Sequence, residues 1–440
     1  MTTILATPPA WPAILLPRTP AADPTDLAAA IRNHAFEGLR RALRDGPTAT
    51  IATIAAARLR GRGGAGFPAA DKWRVVAESS SAVRYVVANG YGSDPAASGD
   101  RELLERNPYA VIEGAAIAAL SVAASDVIIA VRAENAEAIR RLEACVAAAE
   151  EAGLLGDNLL ASGRDLNVVV RPVQGAYLLG EETILLKALE NRRGQPEQRP
   201  PFPATEGLRG QPTLVQNVQT LAAVPWIIVN GPEAFTETGS KDAPGTILVQ
   251  LRGPAGEGIA EVPLGTPLRQ IIGLAGAPAG ARPVKALLIG GPSGGLLPAA
   301  LLDTPYDFDA LRAAGAHVGS GSIVVADDRA CVVDLARLLT SWCAAQSCGK
   351  TIPCRIGTRR LAEIGERVVA GTSRPTDLGL LADLSADIVA SALCDHERLT
   401  TLPLTTGMRY FRAELEDHIL RSTCPAGVCH PIAVAAGTVH

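Results

Sequence analysis

Nowhere do the 440 residues reach the roughly 18 unbroken apolar positions that a membrane-spanning helix requires, so direct membrane insertion is not expected. There is no basic excess: 41 lysines and arginines stand against 45 aspartates and glutamates, a formal charge of −4. Without that electrostatic footprint a nucleic-acid partner is excluded. The opening MTTILATPPAWPAILLPRTP is apolar, but prolines interrupt it and it lacks the basic start of a secretory leader. A cytoplasmic protein is expected. Cysteines number eight, too few for a disulfide framework in so long a chain, and six crowd between Cys343 and Cys429. That clustering suits a metal site. The chain shows no internal repeat and no low-complexity tract.

What is present is apolar material, 48% of residues, enough for several cores. At roughly 100 to 200 residues per domain, two to four domains are expected. Residues 22 to 58 are alanine-rich, with Leu27, Ile31, Phe36, Leu39 and Leu43 near helical spacing, which predicts one or two amphipathic helices. RYVVANG at 84 to 90, SDVIIAVRAE at 125 to 134 and LNVVVRPV at 166 to 173 are short β-rich runs separated by helical stretches. Such alternation predicts a mostly parallel α/β sheet. The proline-rich GQPEQRPPFPATEGLRGQP at 194 to 212 reads as an ordered crossing loop, with a helix following near Asn217. From Gly245 the texture becomes β-rich with a single short helix, a small β-grasp-like unit. Beyond SIVVADD at 322 to 328 the period is helical to about His418.

The sharpest local feature is RGRGGAGFP at 60 to 68. Gly61, Gly63, Gly64 and Gly66 allow positive φ and let amide N–H groups face an anion with no β-carbon in the way. Phosphate is the natural guest, favoured over the alternative of a mere tight turn. Arg62 and Lys72 add positive charge, while Phe67 and Trp73 offer flat faces for a planar ring. In GAYLLGEET, Glu181 and Glu182 open a helical run, where acidic residues are ordinarily just favourable N-terminal charges. GGPSGGLLP at 290 to 298 has no lysine in the P-loop position and reads as a structural turn.

Taken together, RGRGGAGFPAADKW, GAYLLGEET, PPFP, PTLVQNVQTLAAVP and SCGKTIPCRIGTRRL resemble the FMN-binding subunit of NADH-quinone oxidoreductase and its relatives in NAD-linked hydrogenases and formate dehydrogenases. The likeness runs in order over most of residues 55 to 430. It implies an α/β fold class: a helical lead (1–58), an α/β FMN- and NADH-binding domain (59–240), a β-grasp-like domain of SLBB type (241–328) and a C-terminal helical iron–sulfur-type domain (329–440). The resemblance places FMN against Gly61, Arg62, Gly63, Gly64, Gly66, Lys72, Asn89, Tyr177, Gly180 and Asn217. Glu181 and Glu182 fall beside flavin and nicotinamide, Phe67 and Phe202 are stacking partners for the adenine, and Asp94 lies on the nucleotide side. It implies hydride transfer from NADH to the flavin and single electrons passed on to an iron–sulfur or ferredoxin-like partner. The location it implies is cytoplasmic or peripheral to a membrane complex.

Two departures bear on that expectation. Where the family reads close to NADEGEPGTxKDR, this chain has NGYGSDPAASGDR from Asn89 to Arg101, with Tyr91 and Gly92 replacing an acidic pair and Asp94 replacing a glutamate. Lost carboxylates there weaken NADH binding or change the donor. In the cluster motif SCGxCTPCR, followed by a fourth cysteine, the chain supplies Cys348, Cys354 and Cys394 but Thr351 at one ligand position. A three-cysteine cluster, a substitute ligand and no cluster all remain open, with Cys343, Asp395 and His396 as candidate substitutes. Cys343, Cys331 and Cys145 otherwise read as buried core cysteines. CPAGVC at 424 to 429 reads as a remnant, a disulfide-capable pair or ligands shared with another chain, the remnant being the default. Two further functions stay in play: a flavin reductase fed by another donor such as ferredoxin, and a non-catalytic scaffold subunit.

Overall fold

The three β-rich runs become β1 (Tyr85–Gly90), β2 (Asp126–Arg132) and β3 (Asn167–Val173) in the computed structural model, which describes residues 2–276 and 282–429. A fourth strand, β4 (Thr213–Asn217), joins them in a parallel sheet of order β3-β2-β1-β4. β4 is not foreseen from the sequence, because TLVQN is short and runs without a break into the helix Val218–Asn230. Asn217 caps that helix, its side chain accepting from Gln219 N at 2.9 Å, so the helix start near Asn217 is as expected.

This order matters for function. The chain moves from β1 outward to β2 and β3, then returns to the other side of β1 as β4. The reversal leaves a crevice beyond the carboxyl ends of β1 and β4, where open α/β sheets take their ligands. Asn89 and Asn217 are register partners there.

Behind the sheet, the helix Pro108–Val122 is buried around nearly its whole circumference, which explains why it carries no polar face. It meets the helix Val218–Asn230 closely: a β-carbon on Gly114 would lie 1.9 Å from the Leu221 carbonyl oxygen. Sheet and helices share one core built around Trp73, Val86, Ile112, Ile129 and Leu221.

The second unit is a five-stranded mixed sheet of order β6-β5-β9-β7-β8, from β5 (Thr246–Gly253), β6 (Gly256–Pro263), β7 (Val284–Ile289), β8 (Gly295–Pro298) and β9 (Ser322–Asp327). β5 runs parallel to β9 and antiparallel to β6, and β7 is antiparallel to both β8 and β9. The helix Leu268–Gly273 is the short one read from PLRQIIGLAG. Among the described residues six α-helices and the π-helical segment Pro353–Thr358 follow, from Val332–Ala345 to Arg412–Arg421, and their core is shared with Ala286, Leu288 and Leu296 of the second sheet. Residues 430–440 of the expected helical unit lie outside the described residues.

The N-terminal expectation needs correction. Helices begin only at Leu27, and three short ones cover the stretch to Ala56. The preceding residues form a strap, not a helix. Ile4 bridges to Ile259 of β6, and the buried Glu261 carboxylate accepts the backbone N–H groups of Ile14, Leu15 and Leu16 at 2.8 to 3.0 Å. Prolines at 8, 9, 12 and 17 deny this stretch a helical ladder, and a side-chain carboxylate satisfies its amides instead.

Candidate flavin and iron–sulfur sites

The glycine loop is closed across its base, Gly61 N donating to Phe67 O at 2.8 Å and Ala69 N to Leu59 O at 2.8 Å. Gly64 (φ +110°) and Gly66 (φ +66°) use backbone conformations that disfavour side chains, and a β-carbon on Gly66 would lie 2.6 Å from the Phe308 ring. Gly63 differs. It is exposed, and an added β-carbon would meet only Asn217 Cβ at an ordinary 3.5 Å. Its lack of a side chain is therefore unexplained by the protein's own packing.

Around this loop the segments named from the sequence come together at the carboxyl ends of β1 and β4. Lys72 Nζ, from the helix Ala69–Ala77, donates to Glu182 Oε2 at 2.7 Å and to the Val215 carbonyl of β4 at 3.3 Å. Asn89 Nδ2 donates to Gly180 O at 3.2 Å, fastening the GAYLLGEET segment to β1. Asn217 Nδ2 donates to Asp100 at 2.8 Å, and Gln219 Nε2 donates to the same carboxylate at 2.7 Å. Burial pushes the Asp100 pKa up against these two amide donors.

Glu181 caps the helix Glu182–Leu189 by accepting from Thr183 N and Ile184 N at 2.9 and 3.0 Å. Burial raises its pKa, while Thr183 and Arg199 oppose the rise. The Arg199 guanidinium contacts Glu181 Oε1 and lies 3.1 Å from Glu182 Oε1, so one cation bridges both acids. Sequence reasoning misses Arg199, whose only signal is its position just ahead of PPFP. Phe67 and Phe202 are 54% and 53% exposed, unusual for phenylalanines, and Arg199 lies over the Phe202 ring at 5.9 Å.

Three expected residues look elsewhere. Arg62 is buried, and its guanidinium donates to the carbonyls of Arg60, Pro244 and Thr246 at 2.6 to 3.0 Å. It ties the glycine loop to the second sheet and does not extend to an anion. Asp94 accepts from Ser322 Oγ at 2.8 Å and from Ala96 N at 2.8 Å, so it joins the two sheets where a glutamate was expected to line the nucleotide side. Gly291 of the GGPSGG turn packs against that carboxylate, which places the turn facing the flavin unit. The Tyr177 hydroxyl pairs with Ser293 Oγ at 2.9 Å, and its ring packs edge-on against Trp342 and His396 at 4.9 and 5.8 Å.

Tyr91 turns inward. It is fully buried, its hydroxyl has no partner among the described residues, and Arg132 lies over its ring at 5.7 Å. Gly92 follows at φ +58°. No carboxylate stands at either position.

The cysteine motif packs directly against this wall. Lys350 Nζ donates to Pro196 O at 2.6 Å and Gln195 Nε2 to Cys348 O at 3.4 Å, so the crossing loop beside Glu181 also holds the Cys348 loop. Cys354 is buried with Ser347 Oγ at 3.1 Å, and Cys394 precedes the helix Asp395–Leu399, its pKa pushed up to about 12 by burial. Thr351 Oγ1 donates to Glu397 Oε1 at 2.9 Å, and Leu393 N donates to Glu397 Oε2 at 2.9 Å. Glu397 is 1% exposed and, among the described residues, pairs with no cation.

The substitute ligands considered from sequence do not occupy that place. Cys343 Sγ donates to Pro292 O at 3.5 Å, Asp395 pairs with Arg398 at the surface, and His396 packs on Tyr177 with its pKa lowered to about 4 by burial. A buried carboxylate without a cation is costly, and with Cys354 and Cys394 close enough to feel its charge, and Cys348 close to Cys354, the donor types suit iron.

A glycine loop, a basic side chain and paired carboxylates at a topological switch point, walled by a cysteine motif, define a nucleotide-cofactor electron-transfer protein. Comparison with known proteins specifies it further. Residues 54–226 match the Nuo51 FMN-binding domain, and residues 334–418 match the NADH-ubiquinone oxidoreductase-F iron–sulfur binding region. The NADH-quinone oxidoreductase F subunit of Streptomyces coelicolor is 40% identical over 90% of this chain and 88% of its own length. The NADP-reducing hydrogenase subunit HndC of Solidesulfovibrio fructosivorans is 37% identical over 92% of this chain and 83% of its own. The crystal structure of an NAD+-reducing [NiFe]-hydrogenase in the H2-reduced state superposes with a TM-score of 0.81 at 30% identity, covering 95% of this chain and 68% of that one. The chain belongs to the family of NADH-quinone oxidoreductase F subunits.

Proposed function

We propose that the protein takes hydride from a reduced nicotinamide onto FMN in the β1/β4 crevice and passes single electrons to an iron–sulfur partner subunit. The observation that carries this reading is the convergence on that crevice of the open Gly63, of Lys72, bonded to Val215 of β4 and to Glu182, and of Glu181 and Glu182, bridged by Arg199. The chemistry that FMN supplies when bound is acceptance of a hydride and release of its two electrons one at a time. The chain's own residues do the rest. Amides of the glycine loop would hold the phosphate, with Lys72 as the adjacent cation. Arg199 and Lys72 offset the mutual repulsion of Glu181 and Glu182, and a ribose hydroxyl or carboxamide donor would reach a carboxylate oxygen only by displacing one of these partners. Phe67 and Phe202 offer exposed faces to an adenine.

At the acceptor end Cys348, Cys354 and Cys394 would hold an iron–sulfur cluster, with Glu397 as the fourth donor in place of the cysteine replaced by Thr351. The cluster would supply a one-electron acceptor beside the flavin wall. Iron and acid-labile sulfide assays after anaerobic purification test the donor set: Glu397→Ala should lose iron, whereas Thr351→Ala should keep it. The reverse result would discard Glu397 as a ligand.

No helix among the described residues is long and apolar enough to cross a membrane. We place the protein in the cytoplasm, at the periphery of its complex. The deciding experiment is an anaerobic absorbance titration with NADH. Bleaching of the flavin band near stoichiometry is expected. Flavin that stays oxidised until dithionite is added would overturn the nicotinamide reading in favour of a donor such as ferredoxin, the alternative that the inward-turned Tyr91 favours. Absence of flavin would point to a scaffold.

A further inference from the structure

Four side chains that neither site uses meet where the helix Val332–Ala345 begins. Cys331 is the residue capping that helix, His418 lies on the helix Arg412–Arg421, and Cys424 and Cys429 lie in the segment that follows. Their donor atoms all fall within 4.8 Å of one another. Cys331 Sγ is 3.4 Å from His418 Nε2 and 3.6 Å from Cys429 Sγ, across 87 and 98 positions of sequence. We propose that Cys331, His418, Cys424 and Cys429 form a closed tetrahedral site for one structural zinc ion.

The distances select the occupant. Zinc bonds of about 2.3 Å to sulfur and about 2.0 to 2.1 Å to nitrogen give tetrahedral edges of about 3.8 Å between sulfurs and about 3.6 Å from sulfur to nitrogen. The observed 3.6 and 3.4 Å are those edges, slightly contracted. A disulfide needs about 2.05 Å between sulfurs. A [4Fe-4S] cluster spreads its thiolates to separate iron corners and does not fit a cage this tight. Three sulfurs and one imidazole nitrogen in tetrahedral array suit zinc among common metals.

The surroundings are built for ligation. His418 Nδ1 lies 2.7 Å from Glu414 O, and since a carbonyl only accepts, Nδ1 carries the proton and Nε2 faces the sulfurs. Asp334 N donates to Cys331 Sγ at 3.3 Å. In CPAGVC, Gly427 takes φ +69° and its N–H closes onto Cys424 O at 3.0 Å, a tight turn that brings the second cysteine back beside the first. The amides of Val428 and Cys429 face the Cys424 sulfur. Cys331 is a buried core cysteine as expected, and on this proposal it is a ligand as well, with CPAGVC supplying two more.

Binding would displace three thiol protons, keep the imidazole neutral and leave a site of net charge −1. Having four protein ligands and no redox chemistry, the ion would stay off the electron route and act as a staple. It would fasten residues 424–429 to the junction between β9 and the helical unit, where Glu414 already joins Val332 N at 3.0 Å to Lys285 of β7 at 2.8 Å.

The test is elemental analysis and zinc K-edge absorption on the tag-free full chain. About one zinc per chain with three sulfurs and one nitrogen is expected. The double variant Cys424→Ser/Cys429→Ser should fall to below about a tenth of an ion, while Cys348→Ser should keep its zinc. Zinc retained by the double variant, a single iron in this shell, or a disulfide among the three cysteines of the wild-type chain would each overturn the proposal. The edge spectrum is taken on the unmutated chain, so it decides even if the double variant fails to fold.

Discussion

Two glycines of one loop should respond to the same substitution in opposite ways. At Gly66, φ is +66° and a β-carbon would stand 2.6 Å from Cδ1 and Cγ of Phe308, a ring already covered by the Arg60 guanidinium at 4.6 Å. Left-handed backbone costs an L-residue about 1–2 kcal/mol and overpacking about 1–3 kcal/mol, so Gly66→Ala should destabilise the flavin-free protein by about 2–5 kcal/mol. At Gly63 neither penalty applies. The new methyl touches only Asn217 Cβ at 3.5 Å. Gly63→Ala should leave flavin-free stability within about 0.5 kcal/mol or raise it slightly through loss of unfolded-state freedom. The methyl would instead occupy crevice space, and a loss of at least about 1.4 kcal/mol in flavin binding, tenfold in Kd, is expected. Urea denaturation of the flavin-free proteins and quenching of flavin fluorescence on titration separate the two effects. If Gly63→Ala binds FMN as the wild type does, the flavin does not lie against this loop, and the assignment of the crevice fails.

Other perturbations test the frame around the site. The buried Glu113 carboxylate, raised to about 7 by burial, accepts from Phe36 N and Leu39 N; because its folded pKa exceeds the ordinary 4.5, stability should fall by about 3 kcal/mol as pH rises from about 4.5 to about 7 and level off above. Glu113→Gln should flatten that slope in urea midpoints measured across the same range, and an unchanged slope would refute it. Gly114→Ala, whose methyl would lie 1.9 Å from the Leu221 carbonyl oxygen, should cost about 3 kcal/mol or more, and a near-neutral melt would show that the two helices can part cheaply. Tyr91→Phe removes a buried hydroxyl that has no partner among the described residues, so stability should hold or rise by up to about 1 kcal/mol with flavin affinity unchanged. A large loss of flavin in that variant would mean that the hydroxyl faces the crevice.

What the sequence makes legible follows from where information is local. β1 and β2 are largely buried apolar runs, and β3, the edge strand, still carries the β-branched Val168, Val169 and Val170, so composition alone marks all three. β4 is five residues of mixed polarity whose strand state comes from pairing with β1, and no local signal announces it. The same holds for side-chain direction. The chemistry of Arg62 fits a phosphate, yet burial aims it at three backbone carbonyls. Asp94 sits in a segment expected to line the nucleotide, but Ser322, 228 positions away, claims its carboxylate. Glu397 escapes sequence reasoning in favour of Asp395 and His396 because adjacency to Cys394 is visible along the chain and the approach to Thr351 is not.

The two departures from the family pattern are resolved differently, and the difference says where altered chemistry should be sought. At the acceptor end Thr351 loses a thiolate, but a buried carboxylate from Glu397 stands at 2.9 Å from it, so the number of anionic donors around the three cysteines is preserved. At the donor end nothing compensates. Tyr91 folds into the core, Gly92 brings no side chain, and Asp94 is drawn into the joint between the sheets. Glu181 and Glu182 are then the carboxylates left at the crevice, and both are already bridged by Arg199. A nicotinamide entering there must compete with that guanidinium for the same oxygens, a penalty that FMN would not share if, as proposed, loop amides and Lys72 hold it. Flavin affinity should therefore stay ordinary while the apparent affinity for NADH is weak, and Arg199→Gln, by freeing both carboxylates, should tighten NADH binding without changing FMN content.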